Sequence, residues 1–207
     1  VLQCGLKPRV NRSVGSTLER GAVLFTADFE MAWAFRFSRT CRSRAVEMGM
    51  LERRNVPVLL DLFARHSIPA TWATVGHLFL ERCSRDASGC AHAGMPRPAH
   101  FTNRNWSFTA GDWYDDDPCT SLADDPAWYA PDLVGRILSA GPGHEIACHS
   151  FSHVDLTDGN CPKELADAEL DTCLSLAADR GVRLRSMVFP GGTLGNFASL
   201  KERGFIC

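Results

Sequence analysis

Residues 143–155 read Gly143-HEIACHSFSHV-Asp155, and they carry a short apolar run followed by two histidines four positions apart, His149 and His153. The run Glu145–Cys148 is the right length for a buried strand. Helical patterns flank it at Pro131–Ala140 and Pro162–Arg180. Strand and helix therefore alternate around this stretch. If the turn after Cys148 enters one turn of helix, both imidazoles project from the same side, with Cβ atoms about 5–6 Å apart. That spacing lets two imidazoles bind one ion. It equally suits two partly exposed histidines at a helix start.

The same alternation extends outward in both directions. GAVLFTA, Gly21–Ala27, is β-branched and aromatic and ends in Asp28-Phe29-Glu30, which predicts a buried strand. Arg44–Arg65 has helical apolar spacing, with Pro57 expected to interrupt it and Asn55 able to cap a second helix there. IPATWATVG, Ile68–Gly76, reads as the second strand, Leu184–Phe189 as the fourth, Phe197–Arg203 as a helix, and Gly204 onward as another strand. Between Cys83 and Pro126 the pattern gives way to Gly-, Pro-, Asp- and aromatic-rich sequence, a loop of the length seen in lids. The whole predicts an α/β domain over residues 21–207 with a parallel sheet or barrel. A 1–20 extension precedes it and an inserted loop occupies about 83–126. Asp28 and Glu30, Gly76, His149 and His153, and Pro190-Gly191-Gly192 each follow a strand end, where sites in parallel α/β folds are built.

Composition removes several function classes. A formal charge of −2 gives no attraction to nucleic acid or anionic lipid, and no apolar run approaches the ~20 residues of a membrane span. No leader is visible, and the nine cysteines form an odd set without a CxxC pair, which favours a cytoplasmic protein with reduced thiols and disfavours a cysteine-based zinc site. Cys83, Cys90 and Cys119 could pair if the chain were exported. The chain starts at Val1 and stops inside an apolar run at Cys207, so a longer parent is expected.

Asp28 and Glu30 supply the carboxylates that a pair of histidines lacks. Two residues apart in extended chain, they share a side, and one can bind an ion while the other acts as a base. Two histidines and one carboxylate leave zinc with open positions for water and substrate. Without the histidines, the same acids would read as an acidic turn at a strand end.

Four pieces in order, FTADFEMAW, IPATWATVG, GHEIACHSFSH and SMVFPGG, resemble the motifs of the polysaccharide deacetylase family, the NodB-homology domain. The resemblance implies an irregular, incomplete (β/α) barrel and a hydrolase that removes N-acetyl groups from sugars of a polysaccharide or oligosaccharide. It implies a divalent ion, zinc being expected, on Glu30, His149 and His153, with Asp28 as base. The reverse assignment of the two carboxylates is the alternative. Phe189, Pro190, Gly191 and Gly192 would border the substrate and offer a backbone N–H to the oxyanion. Two departures stand out: Val188 occupies the position where many members have an arginine, and the motif with the proton-donating histidine would fall beyond Cys207. Alternatives on the same fold are a hydrolase of another non-peptide C–N bond and a catalytically impaired carbohydrate-binding relative.

The remaining polar residues predict local roles. His144 reads as a strand-start residue, and His66 and His77 as solvent-facing or helix-terminal. His92 and His100 read as a loop pair that could form a second metal site, and Asp115, Asp116 and Asp117 as a solvated turn. Trp106, Trp113, Trp128 and Tyr129 either stack on sugars or anchor the long loop, and anchoring is favoured.

Overall fold

The computed structural model describes residues 23–141 and 143–206. The expected 1–20 extension, Cys4 and Cys207 lie outside the described residues. Three parallel strands form the central sheet in the order β1 (Thr26–Phe29), β2 (Thr71–Thr74), β5 (Glu145–Cys148). Strand β2, covered on both edges, is buried from Trp72 to Thr74, as expected of a parallel strand flanked by neighbours. The first strand starts later than the apolar run suggested. Val23 and Leu24 are exposed, and pairing begins where the Phe25 carbonyl accepts the Thr71 N–H at 2.9 Å.

The 184–189 run reaches β5 through one bridge, Met187 to Cys148. Two backbone bonds frame it, Cys148 N–H to Ser186 O and Val188 N–H to Cys148 O. The ladder stops there for two reasons. The His149 ring occupies the Val188 carbonyl at 2.8 Å, and Pro190 has no N–H to give. Ile206 then bonds back to the Arg185 carbonyl, a single contact where a further strand was expected.

Helices α1 (Ala45–His66), α2 (Pro131–Ser139), α3 (Lys163–Ala178) and α4 (Phe197–Glu202) fill the connections. The expected break at Pro57 does not occur, and α1 runs through it. An interior proline costs a helix about 3 kcal/mol. Tertiary packing offsets that here: Val56, Leu60 and Phe63 are buried around Pro57, and the Arg53 guanidinium ties the same turn to the Pro126 and Tyr129 carbonyls and to Asp132. Gly49 lets α1 lie against the 3₁₀ turn Met31–Ala34, because a Cβ there would sit 2.8 Å from the Ala32 nitrogen.

The 83–126 segment is mostly irregular, as expected, with one small hairpin of β3 (Phe101–Thr102) and β4 (Ser107–Phe108). It is not a loose excursion. Trp106, Phe108, Trp113 and Tyr114 are buried in the main core, and Trp113 stacks on Phe37 with ring centroids 4.7 Å apart. Among the described residues no helix is long and apolar enough to cross a membrane.

Candidate functional site

Strand alternation sets the acidic half of the site. Phe29 points into the core, so its neighbours Asp28 and Glu30 face the opposite side and both line a surface groove of about 290 Å³. His153, Arg39, Trp106 and Gly191 border the same groove. A larger open depression of about 770 Å³ adjoins it through Ser38, Arg39 and Thr40, but holds none of the candidate ligands.

The histidine half is not the helical turn considered from the sequence. After β5 the chain is an irregular turn with Ser150 at φ 58° and His153 at φ 59°, both left-handed. Those two residues fold the loop back so that both imidazoles meet Glu30. His153 Nε2 lies 2.6 Å and His149 Nε2 3.2 Å from the same Glu30 Oε2. His149 Nδ1–H donates to the Val188 carbonyl, so in its neutral form the ring turns a lone pair toward a carboxylate oxygen. Two acceptors facing one another require a proton or a cation between them. The three-donor set with one open side therefore fits a divalent ion.

The electrostatics agree with a shared positive charge. Burial works against the Glu30 carboxylate, yet His153 and His149 outweigh it and hold the group well below the usual carboxylate range. Burial also opposes charge on His149, but Glu30 raises its pKa above the ordinary value. At His153 burial dominates and lowers the pKa.

Two carboxylates that the sequence reading passed over hold these halves in place. Glu52 of α1 is half-buried and accepts the Glu30 and Met31 N–H groups at 3.0 and 2.7 Å, clamping a turn in which Met31 has φ 52°. Burial and the nearby charges of Glu30 and Asp28 push Glu52 up to about 8, against those two N–H groups. Glu169 of α3 accepts the Ser152 N–H at 2.8 Å and its hydroxyl at 2.6 Å, between the two histidines. Burial raises Glu169 as well. Arg36, fully buried, donates to the Ser152 and Trp113 carbonyls on the other side of the loop, and burial pulls its pKa down to about 10. Both acids were detectable in principle. Glu52 sits three residues after Gly49 and four before Val56, and Glu169 sits between Leu165 and Cys173, so each is a carboxylate on the buried stripe of its helix.

The four residues expected beside substrate separate. Gly191 lines the groove, and its φ of 58° with the Trp106 ring 2.8 Å from a would-be Cβ leaves room only for glycine. Phe189 packs on Phe197, Pro190 is buried, and Gly192 is exposed with its N–H given to the Phe189 carbonyl. Trp106 packs edge-on against His153 at 5.1 Å, so the long segment closes one wall of the site. Asn103 reinforces that wall by donating to Asp155 at 2.7 Å.

Other expectations divide in the same way. His144 does act locally, accepting the Ala70 N–H at 3.1 Å. The four aromatic residues Trp106, Trp113, Trp128 and Tyr129 are buried and anchor the segment. His77 is fully buried instead of solvent-facing, and Asp117 is buried instead of belonging to a solvated turn. His92 does not pair with His100, which reaches the Gly111 carbonyl at the surface. It meets Asp117 instead.

Residues 45–201 match the family described as polysaccharide deacetylase. The chain belongs to that family. Its members are hydrolases of N-acetylated carbohydrates, and the matched span contains His149 and His153 while Asp28 and Glu30 precede it. No curated protein and no solved structure matches the chain.

Proposed function

We propose that this polysaccharide deacetylase relative is a metal-dependent hydrolase removing N-acetyl groups from the sugars of a polysaccharide or oligosaccharide. The observation that carries the reading is the convergence of His149 Nε2 and His153 Nε2 on one oxygen of Glu30 at the edge of an open groove. Glu30, His149 and His153 would hold a divalent ion, with zinc expected. Bound there, it supplies Lewis-acid polarisation of the acyl oxygen and makes water at the site acidic near neutrality.

Asp28 lines the groove beside Glu30 without joining the imidazole cluster, which suits a base. It takes the proton from the water that attacks the acetamide carbonyl carbon. As the C–N bond breaks, the nitrogen takes its electron pair and the proton that Asp28 received from the water, acetate leaves, and the amine stays on the sugar. Pro190 has no N–H, that of Gly192 is occupied, and Phe189 does not line the groove, so Gly191, at the groove, is the donor in the Phe189–Gly192 strip that serves the developing oxyanion. Trp106 and the other walls keep the sugar against Asp28 and limit water to the groove side. The arc of β1, β2, β5 and Met187, in chain order with helices between, supports an incomplete (β/α) barrel across residues 21–207 with 83–126 inserted.

The test is acetate release by the metal-loaded full chain from N-acetylated chitin-type oligosaccharides, measured beside small linear and cyclic amides. Release from the sugars supports the proposal. Release from the amides alone points to another C–N hydrolase, and sugar binding without release in either case points to a binding relative.

A further inference from the structure

A second set of donors meets behind the groove. His77 follows β2 in the 3₁₀ turn Gly76–Phe79, Cys83 comes just after it, and His92 and Asp117 come from the long segment. Their ligand atoms all lie within 4.8 Å of one another. Asp117 Oδ2 is 2.8 Å from His92 Nε2, 3.2 Å from His77 Nε2 and 3.5 Å from Cys83 Sγ. A tetrahedral ion with bonds of about 2.0–2.3 Å to N, O and S separates its ligands by roughly 3.3–3.6 Å. The three separations from Asp117 Oδ2 lie within about half an ångström of that spacing.

We infer that His77, Cys83, His92 and Asp117 form a closed structural site for a zinc-class divalent cation. One atom argues for a cation. His77 Nδ1 is committed to the Trp128 carbonyl at 3.2 Å, which makes it the N–H and leaves Nε2 as a lone pair. That Nε2 is fully buried, has no hydrogen-bond partner, and faces the Asp117 carboxylate. Such a pair of acceptors is repulsive unless a proton or a metal ion lies between them, and burial works against the protonated ring by lowering the His77 pKa.

The surrounding groups are arranged as supports for ligands. Asp117 Oδ1 is held by the Cys119 N–H at 2.9 Å and by the Tyr129 hydroxyl at 3.3 Å, which turns Oδ2 toward the two imidazoles. The same hydroxyl lies 3.1 Å from Cys83 Sγ and is itself oriented by the Thr120 N–H. Outer partners of this kind fix ligand orientation. A thiolate and a carboxylate also balance a divalent charge, so the buried cluster carries no net charge once the Cys83 proton has left.

The site is closed where the groove is open. The side chains of His77 and Asp117 are 0% exposed and His92 is 12% exposed. None of the four lines the groove beside Glu30. Four protein donors leave no position for substrate, which assigns the ion a structural role. It would fasten the long segment to β2 and, through the His77 and His92 rings against Phe151, brace the histidine loop from behind.

Cobalt(II) loading of the full chain tests this independently of the groove, because thiolate coordination gives a near-ultraviolet charge-transfer band that imidazoles and carboxylates do not. The expected result is that band in the unmodified protein, its retention in His149→Ala and Cys119→Ser, and its loss in Cys83→Ser. Metal content should drop by about one equivalent in Cys83→Ser or His92→Ala. Absence of the band in the unmodified protein, persistence in Cys83→Ser, or a Cys83–Cys119 disulfide found by mass spectrometry would each overturn the site. The spectrum of the unmodified chain decides the matter even if a variant fails to fold.

Discussion

Glu30 and Asp117 each present one carboxylate oxygen to two imidazoles, yet their surroundings differ. The Glu30 side chain is 19% exposed at a groove, while that of Asp117 is 0% exposed and has a thiol as further neighbour. In both clusters one imidazole Nδ1 is committed to a backbone carbonyl, Val188 for His149 and Trp128 for His77, so each has a lone pair aimed at a carboxylate. What separates them is the fourth position. At Glu30 it opens to the space shared with Asp28, and at Asp117 it is filled by Cys83. A three-donor open set suits chemistry, and a four-donor closed set suits structure. The pair should therefore respond to mutation in opposite currencies, activity at one and stability at the other.

The largest effect is expected at the open site. Asp28→Asn keeps the shape of the side chain and removes the base, so deacetylation should fall by about 10²–10⁴-fold. Metal content and melting temperature should stay as they are, because Asp28 is exposed and stands outside the cluster. Steady-state kinetics beside elemental analysis distinguishes this from loss of an ion. A drop in bound metal would reverse the roles of Asp28 and Glu30.

At the closed site the order reverses. Removing one partner from a buried ionic cluster costs about 3–5 kcal/mol, and each kcal/mol lowers the melting temperature of a domain this size by roughly 2–4 °C. His92→Ala should therefore lower the melting temperature by about 10 °C, and a strong chelator should do the same to the unmodified chain. Calorimetry with and without chelator checks this. The comparison breaks if His92→Ala melts normally but loses activity outright.

The two clusters were unequally visible from sequence, for a physical reason. The motif around His149 and His153 lies within a single turn next to a strand, so its residues are near one another in the chain and their type and spacing carry the signal. The strand ends near Asp28 and Cys148 and three of the four helices followed from apolar periodicity, which is local. The continuous α1 did not, because packing by Val56, Leu60, Phe63 and the Arg53 tether is long-range and overrides Pro57. His77, Cys83, His92 and Asp117 are spread over forty-one positions of irregular chain. No periodicity marks them, and the missing CxxC pair argued against cysteine ligation, although one thiol beside two imidazoles needs no such pair. The left-handed Ser150 and His153 were equally invisible, since neither is a glycine.

Smaller effects should come from the groups that aim the open site. Glu52→Gln leaves one backbone N–H of the Glu30 turn facing an amide N–H. Activity is expected to fall about 10–100-fold, with the loss in kcat and little change in KM. The same variant has a pH signature in the metal-free protein. Glu52 is raised to about 8 in the fold, so its contribution to stability is full below the ordinary value near 4.5 and lost as pH climbs toward 8. Glu30 acts with the opposite sign: its pKa is depressed, so its contribution is present above that value and lost as pH falls below it. Urea unfolding between pH 5 and 8 should show declining stability in the unmodified chain and a flatter profile in Glu52→Gln. An unchanged slope would mean that another group with a raised pKa, Glu169 or His149, carries the alkaline loss.

The mildest perturbation acts where the two regions meet. Gly191→Ala places a methyl 2.8 Å from the Trp106 ring at a backbone φ of 58°, so the ring must give way or the turn must shift. Left-handed backbone strain and the contact together cost about 1–3 kcal/mol. Trp106 belongs to the 83–126 segment and packs against His153, so its displacement carries strain from the segment into the groove while the closed cluster stays intact. The expected outcome is a few-fold rise in KM for the oligosaccharide, with the cobalt–thiolate band unchanged. A band that weakened along with KM would show that the segment moves as one body, and that the closed site tunes the open one instead of merely fastening its wall.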